Sequence, residues 1–195
     1  MLYEASQRPA PGVVLVHMLG RSKDEWGRFA EQLQDAGLTA LAIDLRGHGH
    51  SSGDGSMLPQ MVHDVAGAVS WLTSRPNVRA SAIAVVGASL GANLAALAAA
   101  ALPTVRAVAL LSPSLDYRGV RLDLATMKKI GDRPVWVAAS TEDPYAIRTI
   151  KELTADAAGI EQRLTGARGH GTLLLAADRD VGTGLVDWLK RALIF

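Results

Sequence analysis

The sequence predicts an α/β fold, a mainly parallel twisted sheet with helices packed on both faces. Three observations predict it. Short continuous apolar runs recur along the chain, such as GVVLVH at residues 12–17 and AIAVV at residues 82–86. Such runs suit strands that are covered on both sides. Between them lie stretches with apolar residues at helical spacing. The order strand, then helix, repeats six times, and that alternation calls for crossover connections between parallel strands.

Residues 12–17 form the first strong strand. HMLGRSKDEW then breaks the pattern, and Ser22 or Asp24 caps a helix running to Asp35, with Trp26, Phe29, Ala30 and Leu33 on one face. Gly37 stops it. Residues 38–44 are the second strand, followed by the glycine- and serine-rich loop RGHGHSSGDGS. Residues 57–74 read as a helix, with Val62, Val65, Val69 and Leu72 on one stripe. The third strand, residues 82–86, leads into a helix at residues 90–102 that Pro103 ends. Residues 105–111 are the fourth strand. Residues 112–133 are irregular, with one short helix near 122–130. Residues 134–139 are the fifth strand, 145–158 a helix, and 159–164 a weaker sixth strand. The last helix, residues 181–194, carries Leu185, Val186, Trp188 and Leu189.

The 195 residues suffice for one domain, 1–195, with a real core. Hydrophobic residues make up 49% and charged residues 20%, a globular balance rather than a disordered one. The net charge is +1 with no block of like charges, which argues against nucleic acid or an anionic membrane surface as a partner. No cysteine is present, so disulfides, thiolate metal sites and cysteine nucleophiles are excluded. Residues 80–105 carry no charge, yet they contain Gly87, Ser89, Gly91, Asn93 and Pro103. Their composition changes midway from β-branched to Ala/Leu, which fits a buried strand and helix rather than a membrane span. The N-terminus, MLYEASQRPAPG, lacks the basic and apolar stretches of an export signal. A cytoplasmic location is the expectation, with secretion after removal of a leader as the alternative.

In open α/β sheets, sites lie beyond the carboxyl ends of the strands. His17, Met18, Leu19 and Gly20 follow the first strand, and Ser89 follows the third. Ser140, Thr141, Glu142 and Asp143 follow the fifth, and Arg168, Gly169, His170 and Gly171 the sixth. A serine, a carboxylate and a histidine therefore share one sheet edge, the three groups a nucleophilic relay needs. Serine is a weak nucleophile without an adjacent base, and histidine has the basicity to take and return its proton.

The stretch Gly87-Ala88-Ser89-Leu90-Gly91 has its own logic. Gly-x-Ser-x-Gly at a strand-to-helix junction holds a serine on a sharp turn, with glycines where side chains would collide. The N–H of Leu90 then points where an oxyanion would form, aided by the helix N-terminus. A second N–H comes from the loop after the first strand, with Leu19 the candidate.

On LVHMLG, DLRGHGHS, GASLG, STEDPYA and RGHG, the chain resembles serine hydrolases of the α/β-hydrolase superfamily, near the dienelactone-hydrolase-like and lysophospholipase-like esterases. These motifs stand in family order from Val13 onward. The resemblance implies Ser89 as nucleophile, Asp143 as acid and His170 as base, with no cofactor and no metal. It implies a small-molecule ester as substrate, cleaved through an acyl-enzyme. Glu142 and Asp116 are the alternative acids, and Pro144, which starts the next helix, favours Asp143. A thioesterase, lysophospholipase or acyltransferase would use the same triad, and an idle scaffold for binding is the reading from another class.

Two departures stand out. The family has further strands before the first one seen here, and residues 2–5 read as a remnant of an edge strand. The family's His-Gly pair is His17-Met18, a larger side chain expected to narrow the acyl side. Residues 112–133 are too few for a cap domain, so the site should be open. Among the other histidines, His17 is expected to brace the oxyanion loop. His48 and His50 belong to a structural turn rather than a metal site, and His63 is a helix histidine. Trp71 and Trp188 are expected in the core, and Tyr117 and Tyr145 at the edge of the site.

Overall fold

The computed structural model describes residues 1–155 and 159–194. In chain order the strands are β1 (Leu2–Tyr3), β2 (Ala10–Val16), β3 (Thr39–Ile43), β4 (Val78–Ala88), β5 (Val105–Leu111), β6 (Asp116–Tyr117), β7 (Val120–Arg121), β8 (Val135–Ser140) and β9 (Ile160–Thr165). The helices are α1 (Gly27–Asp35), α2 (Val62–Thr73), α3 (Leu90–Ala101), α4 (Leu124–Ile130), α5 (Pro144–Thr154), α6 (Leu173–Ala177) and α7 (Arg179–Ile194). Single 3₁₀ turns, Lys23–Trp26 and Leu58–Met61, lead into α1 and α2.

Seven of these strands form one sheet in the order β1-β3-β2-β4-β5-β8-β9. All neighbours are parallel except β1, which runs antiparallel to β3 at the edge. The edge strand expected over residues 2–5 is thus found at Leu2–Tyr3. Strand order reverses between β2 and β4. The connections from β2 and β4 diverge there and leave a crevice at the carboxyl ends. The loop after β2 and Ser89 after β4 face that crevice.

The alternation of side chains sorts each strand into two cores. Val14, Val16, Ile83, Val85, Val108 and Leu110 face α2, α3 and α5. On the other face, Ala84, Ala107, Ala109 and Ala138 leave room for Trp26, Trp136 and Trp188, brought by the 3₁₀ turn, β8 and α7. Small strand residues beside large indoles let the layer pack closely. Trp188 is buried as expected. Trp71 is not: it is 42% exposed and lies beneath the Arg75 guanidinium, 4.5 Å from its ring centroid. It stands one residue off the Val65-Val69-Leu72 stripe, about 100° round the helix, which turns it to solvent.

Several elements differ from expectation. The segment after β5 holds a hairpin, β6–β7, whose turn places Arg118 and Gly119 at φ 49° and 91°. Two successive positive φ values are the mark of a tight hairpin turn, and Arg-Gly is not a strong sequence signal for it. The short helix follows as α4, capped by Asp123 Oδ1, which accepts from Thr126 N–H at 2.8 Å. The helix expected over residues 145–158 is α5, and residues 156–158 lie outside the described part. The short helix α6 was not expected. The uncharged segment 80–105 divides into β4 and α3, and among the described residues no helix is long and apolar enough to cross a membrane. Strand β9 is exposed along Glu161, Gln162 and Arg163, polar residues that guard a sheet edge against pairing.

Candidate functional site

Ser89 joins β4 to α3 at φ 53° and ψ −118°, a region where a residue with a Cβ is strained. The neighbouring chain makes the glycines obligatory. A Cβ on Gly87 would land on the carbonyl of Gly91, and one on Gly91 would land on the carbonyls of Val16 and His17. The turn is pinned to β5, since Ser89 N–H donates to Leu111 O at 2.9 Å. Ser89 is only 4% exposed, at the floor of an open cleft.

His170 and Asp143 meet it there. His170 Nε2 lies 2.8 Å from Ser89 Oγ, and His170 Nδ1 lies 2.6 Å from Asp143 Oδ2. The ionised carboxylate can only accept, so Nδ1 carries hydrogen and Nε2 is left to accept from the serine hydroxyl. Asp143 also caps α5, its Oδ1 accepting from Ala146 N–H at 3.1 Å, which fixes the carboxylate plane. The other two candidate acids are engaged elsewhere. Asp116 pairs with Arg121 at 3.0 Å and accepts from Gly119 N–H. Glu142 pairs with Arg168 at 2.7 Å on the surface.

Leu90 begins α3, and Leu19 lies in the loop after β2. No acceptor among the described residues takes the N–H of either. His17 fixes the direction of one of them. Its Nε2 accepts from Leu45 N–H at 3.0 Å, so its Nδ1 is the protonated nitrogen and donates to Met18 O at 2.7 Å. Arg21 N–H donates to the same carbonyl at 3.1 Å. Carbonyl and N–H point in opposite directions across a trans peptide. Pinning Met18 O therefore turns Leu19 N–H the other way. Burial pushes the His17 pKa below its ordinary value despite the hydrogen bond to Met18, in keeping with a neutral brace.

Met18 does not narrow the cleft as expected. It is buried, and a Cβ added to Gly171 would meet its sulfur. Its side chain fills the space under the histidine loop, because Gly171 has none to put there. His48 and His50 lie in the turn after β3: His48 Nδ1 bonds Arg46 O, and His50 N–H donates to Asp44. Burial raises the Asp44 carboxyl, but hydrogen bonds from Lys23 and His50 outweigh it and hold the group below the usual carboxylate range. His63 is exposed on α2.

Two supporting residues lie outside the strand-end motifs. Ser112, directly after β5, is buried at φ 50°, and its Oγ accepts from Gly171 N–H at 2.9 Å. Asn93, buried on α3, uses all its polar atoms on the next loop. Its Nδ2 donates to Ser114 O at 2.7 Å and Val120 O at 2.8 Å, and its Oδ1 accepts from Ser114 N–H at 3.1 Å. The one signal for Asn93 was a polar amide inside an alanine-rich apolar helix. That loop forms one wall of a cavity of about 360 Å³, with Ser89 and His170 at its floor. Tyr117, from this loop, and Tyr145, from the first turn of α5, both line the cavity, as expected. Tyr145 is 80% exposed, so the mouth is open.

Comparison with known proteins agrees with this architecture. The crystal structure of the alpha/beta hydrolase GrgF from Penicillium sp. sh18 superposes with a TM-score of 0.81 at 19% identity, covering 100% of this chain and 93% of that one. The esterase Pf2001 of Pyrococcus furiosus gives 0.77 at 17%, covering 94% and 84%. In sequence, the chain is similar to the polyketide transferase ATR5 of Stachybotrys chlorohalonatus, 30% identical over 156 residues and 73% of this chain. It spans only about half of that relative's length, 52%. The family model described as serine aminopeptidase, S33, matches residues 7–143, well over half of the chain, including Ser89 and Asp143 and stopping before His170. The chain has the α/β-hydrolase fold and belongs to the serine aminopeptidase S33 family.

Proposed function

We propose that the protein is a serine hydrolase of carboxylic esters. The observation that carries this reading is the unbroken line Ser89 Oγ, His170 Nε2, His170 Nδ1, Asp143 Oδ2, with links of 2.8 and 2.6 Å at a strained elbow. In the reaction, Ser89 Oγ bonds to the acyl carbon while its proton passes to His170 Nε2. The carbonyl oxygen becomes an oxyanion between the N–H groups of Leu19 and Leu90. Such a donor is worth about 3 kcal/mol of transition-state stabilisation. The tetrahedral adduct collapses, the carbon–oxygen bond to the alcohol breaks, and His170 returns the proton to that alcohol. Water then attacks the acyl-enzyme by the same steps. Asp143 holds the histidine in the required tautomer and stabilises its charged form. The open mouth suits short acyl groups or one end of a bulky ester.

A second reading is acyl transfer, in which an alcohol or amine replaces water in the last step. The similarity to a polyketide transferase over 73% of the chain supports it. Both readings share an acyl-enzyme on Ser89. A fluorophosphonate probe should label Ser89, and S89A should lose both the label and the turnover of p-nitrophenyl acetate and butyrate. Equal turnover by S89A would overturn both readings. Graded alcohols added to the parent enzyme separate them: a new ester formed in preference to free acid favours transfer.

A further inference from the structure

The loop after β2 is held from beneath by the half-buried carboxylate of Glu25. Met18 N–H donates to Glu25 Oε1 at 2.8 Å. The carbonyl of the same peptide, His17 O, faces α3, close enough that a Cβ on Gly91 would sit 2.7 Å from it. The 17–18 peptide is thus packed against α3 at its carbonyl and hydrogen-bonded to Glu25 at its N–H. The next peptide is fixed at its carbonyl by His17 and Arg21. Of the two N–H groups in these consecutive peptides, Met18 N–H is taken by Glu25 and Leu19 N–H has no acceptor among the described residues.

Glu25 is itself held in place. It lies in the 3₁₀ turn Lys23–Trp26, whose Trp26 is fully buried in the core. Its second oxygen, Oε2, is buried and has no hydrogen-bond partner among the described residues. Burial raises the Glu25 pKa, while Met18 N–H and nearby Thr172 act in the opposite direction. Thr172 follows the histidine loop two residues after His170, and Met18 packs against Gly171 in the same loop. Taking a carboxylate partly out of water is costly unless its oxygens are hydrogen-bonded, and here Oε1 is spent on the N–H of the loop after β2.

We propose that Glu25 is a positioning residue for the reaction: its Oε1 sets the 17–18 peptide, so that the following N–H, that of Leu19, is aimed at the oxyanion. This rests on the serine-hydrolase reading above. The residue touches no reacting atom and acts only through the loop.

The test compares E25A, E25Q and E25D with the parent on p-nitrophenyl acetate, with kcat and KM resolved. Removing the acceptor in E25A should lower kcat about 10- to 100-fold with KM within about threefold, since an ill-aimed donor weakens only the transition state. E25Q keeps an oxygen at the same reach and should recover most of the lost kcat. E25D withdraws the acceptor by one methylene and should lower kcat at least about fivefold while remaining folded, which covers the case of an unfolded E25A. A kcat within twofold of the parent in E25D or a folded E25A overturns the proposal. So does E25Q falling as far as E25A, which assigns the effect to charge. A rise in KM at constant kcat overturns it as well, because the residue then serves ground-state binding. S89A run alongside separates the two levels: if S89A keeps turnover, the serine reading fails, whereas loss in S89A with unaffected Glu25 variants sinks the Glu25 proposal alone.

Discussion

Ser112 accepts a hydrogen bond from the backbone N–H of Gly171 at 2.9 Å, from a backbone at φ 50°. The strand next to the serine elbow thereby grips the loop that carries His170. The imidazole is exposed, so little packing holds it, and this bond restricts where its ring can stand. S112A leaves a buried N–H unpaired, which costs about 1–3 kcal/mol. We expect kcat/KM for p-nitrophenyl butyrate to fall about 10-fold or more. S112G loses the same bond but relieves the positive φ, so it should be as slow as S112A yet melt at a higher temperature. Unaltered kinetics in both variants would remove Ser112 from the support of the histidine.

Gly91 allows no side chain. The atoms a Cβ would strike are backbone carbonyls of β2 and its loop, which cannot swing aside as a flexible side chain can. G91A should therefore push α3 away from the loop after β2 and separate the N–H groups of Leu90 and Leu19. Misplacement by an ångström is enough to cost about 100-fold in rate. The expected result is a loss of fluorophosphonate labelling of at least that size. Labelling at the parental rate would show that the two elements can part without consequence.

Asn93 satisfies three backbone groups of the loop that walls the cavity. N93A strands them in the interior, at about 1–3 kcal/mol each where water cannot reach. A total near 3 kcal/mol corresponds to a fall in melting temperature of roughly 6–12 °C for a chain of this length. Circular dichroism measures it directly. The loosened wall should also raise KM for p-nitrophenyl acetate more than for ethyl acetate, because Tyr117 lines the cavity from that loop.

His17 gives the stability a definite pH dependence. Burial lowers its folded pKa below the unfolded value of 6.5. Stability from the neutral brace is then complete above about pH 6.5 and declines as pH falls from there through the folded pKa, since the unfolded chain takes up the proton first. Urea unfolding of the parent should show lower stability at pH 5.5 than at 7.5. H17Q, which has no proton to gain there, should show a smaller difference. An equal slope in both proteins would mean that other groups carry the acid sensitivity.

Much of this molecule could be read from the chain. The apolar runs set the strands because a strand covered on both faces tolerates no polar side chain, and their alternation with helical stretches set a parallel sheet. The place of Ser89 between Gly87 and Gly91 followed from local sterics, and the positions of His17, Asp143 and His170 followed from the rule that strand ends carry chemistry. Those inferences needed only neighbours in sequence or the edge of one sheet. The pairing of strands, the engagement of Asp116 with Arg121, the turning of Met18 under Gly171, and the exposure of Trp71 did not follow. Each depends on which distant segment arrives at a given spot. Ser112, Asn93 and Glu25 belong to the same group. Their residue types are ordinary, and they acquire meaning only when a backbone N–H or carbonyl from another loop comes within about 3 Å. Sequence fixes what a side chain can donate or accept, whereas the tertiary fold decides which partner is near enough to use it.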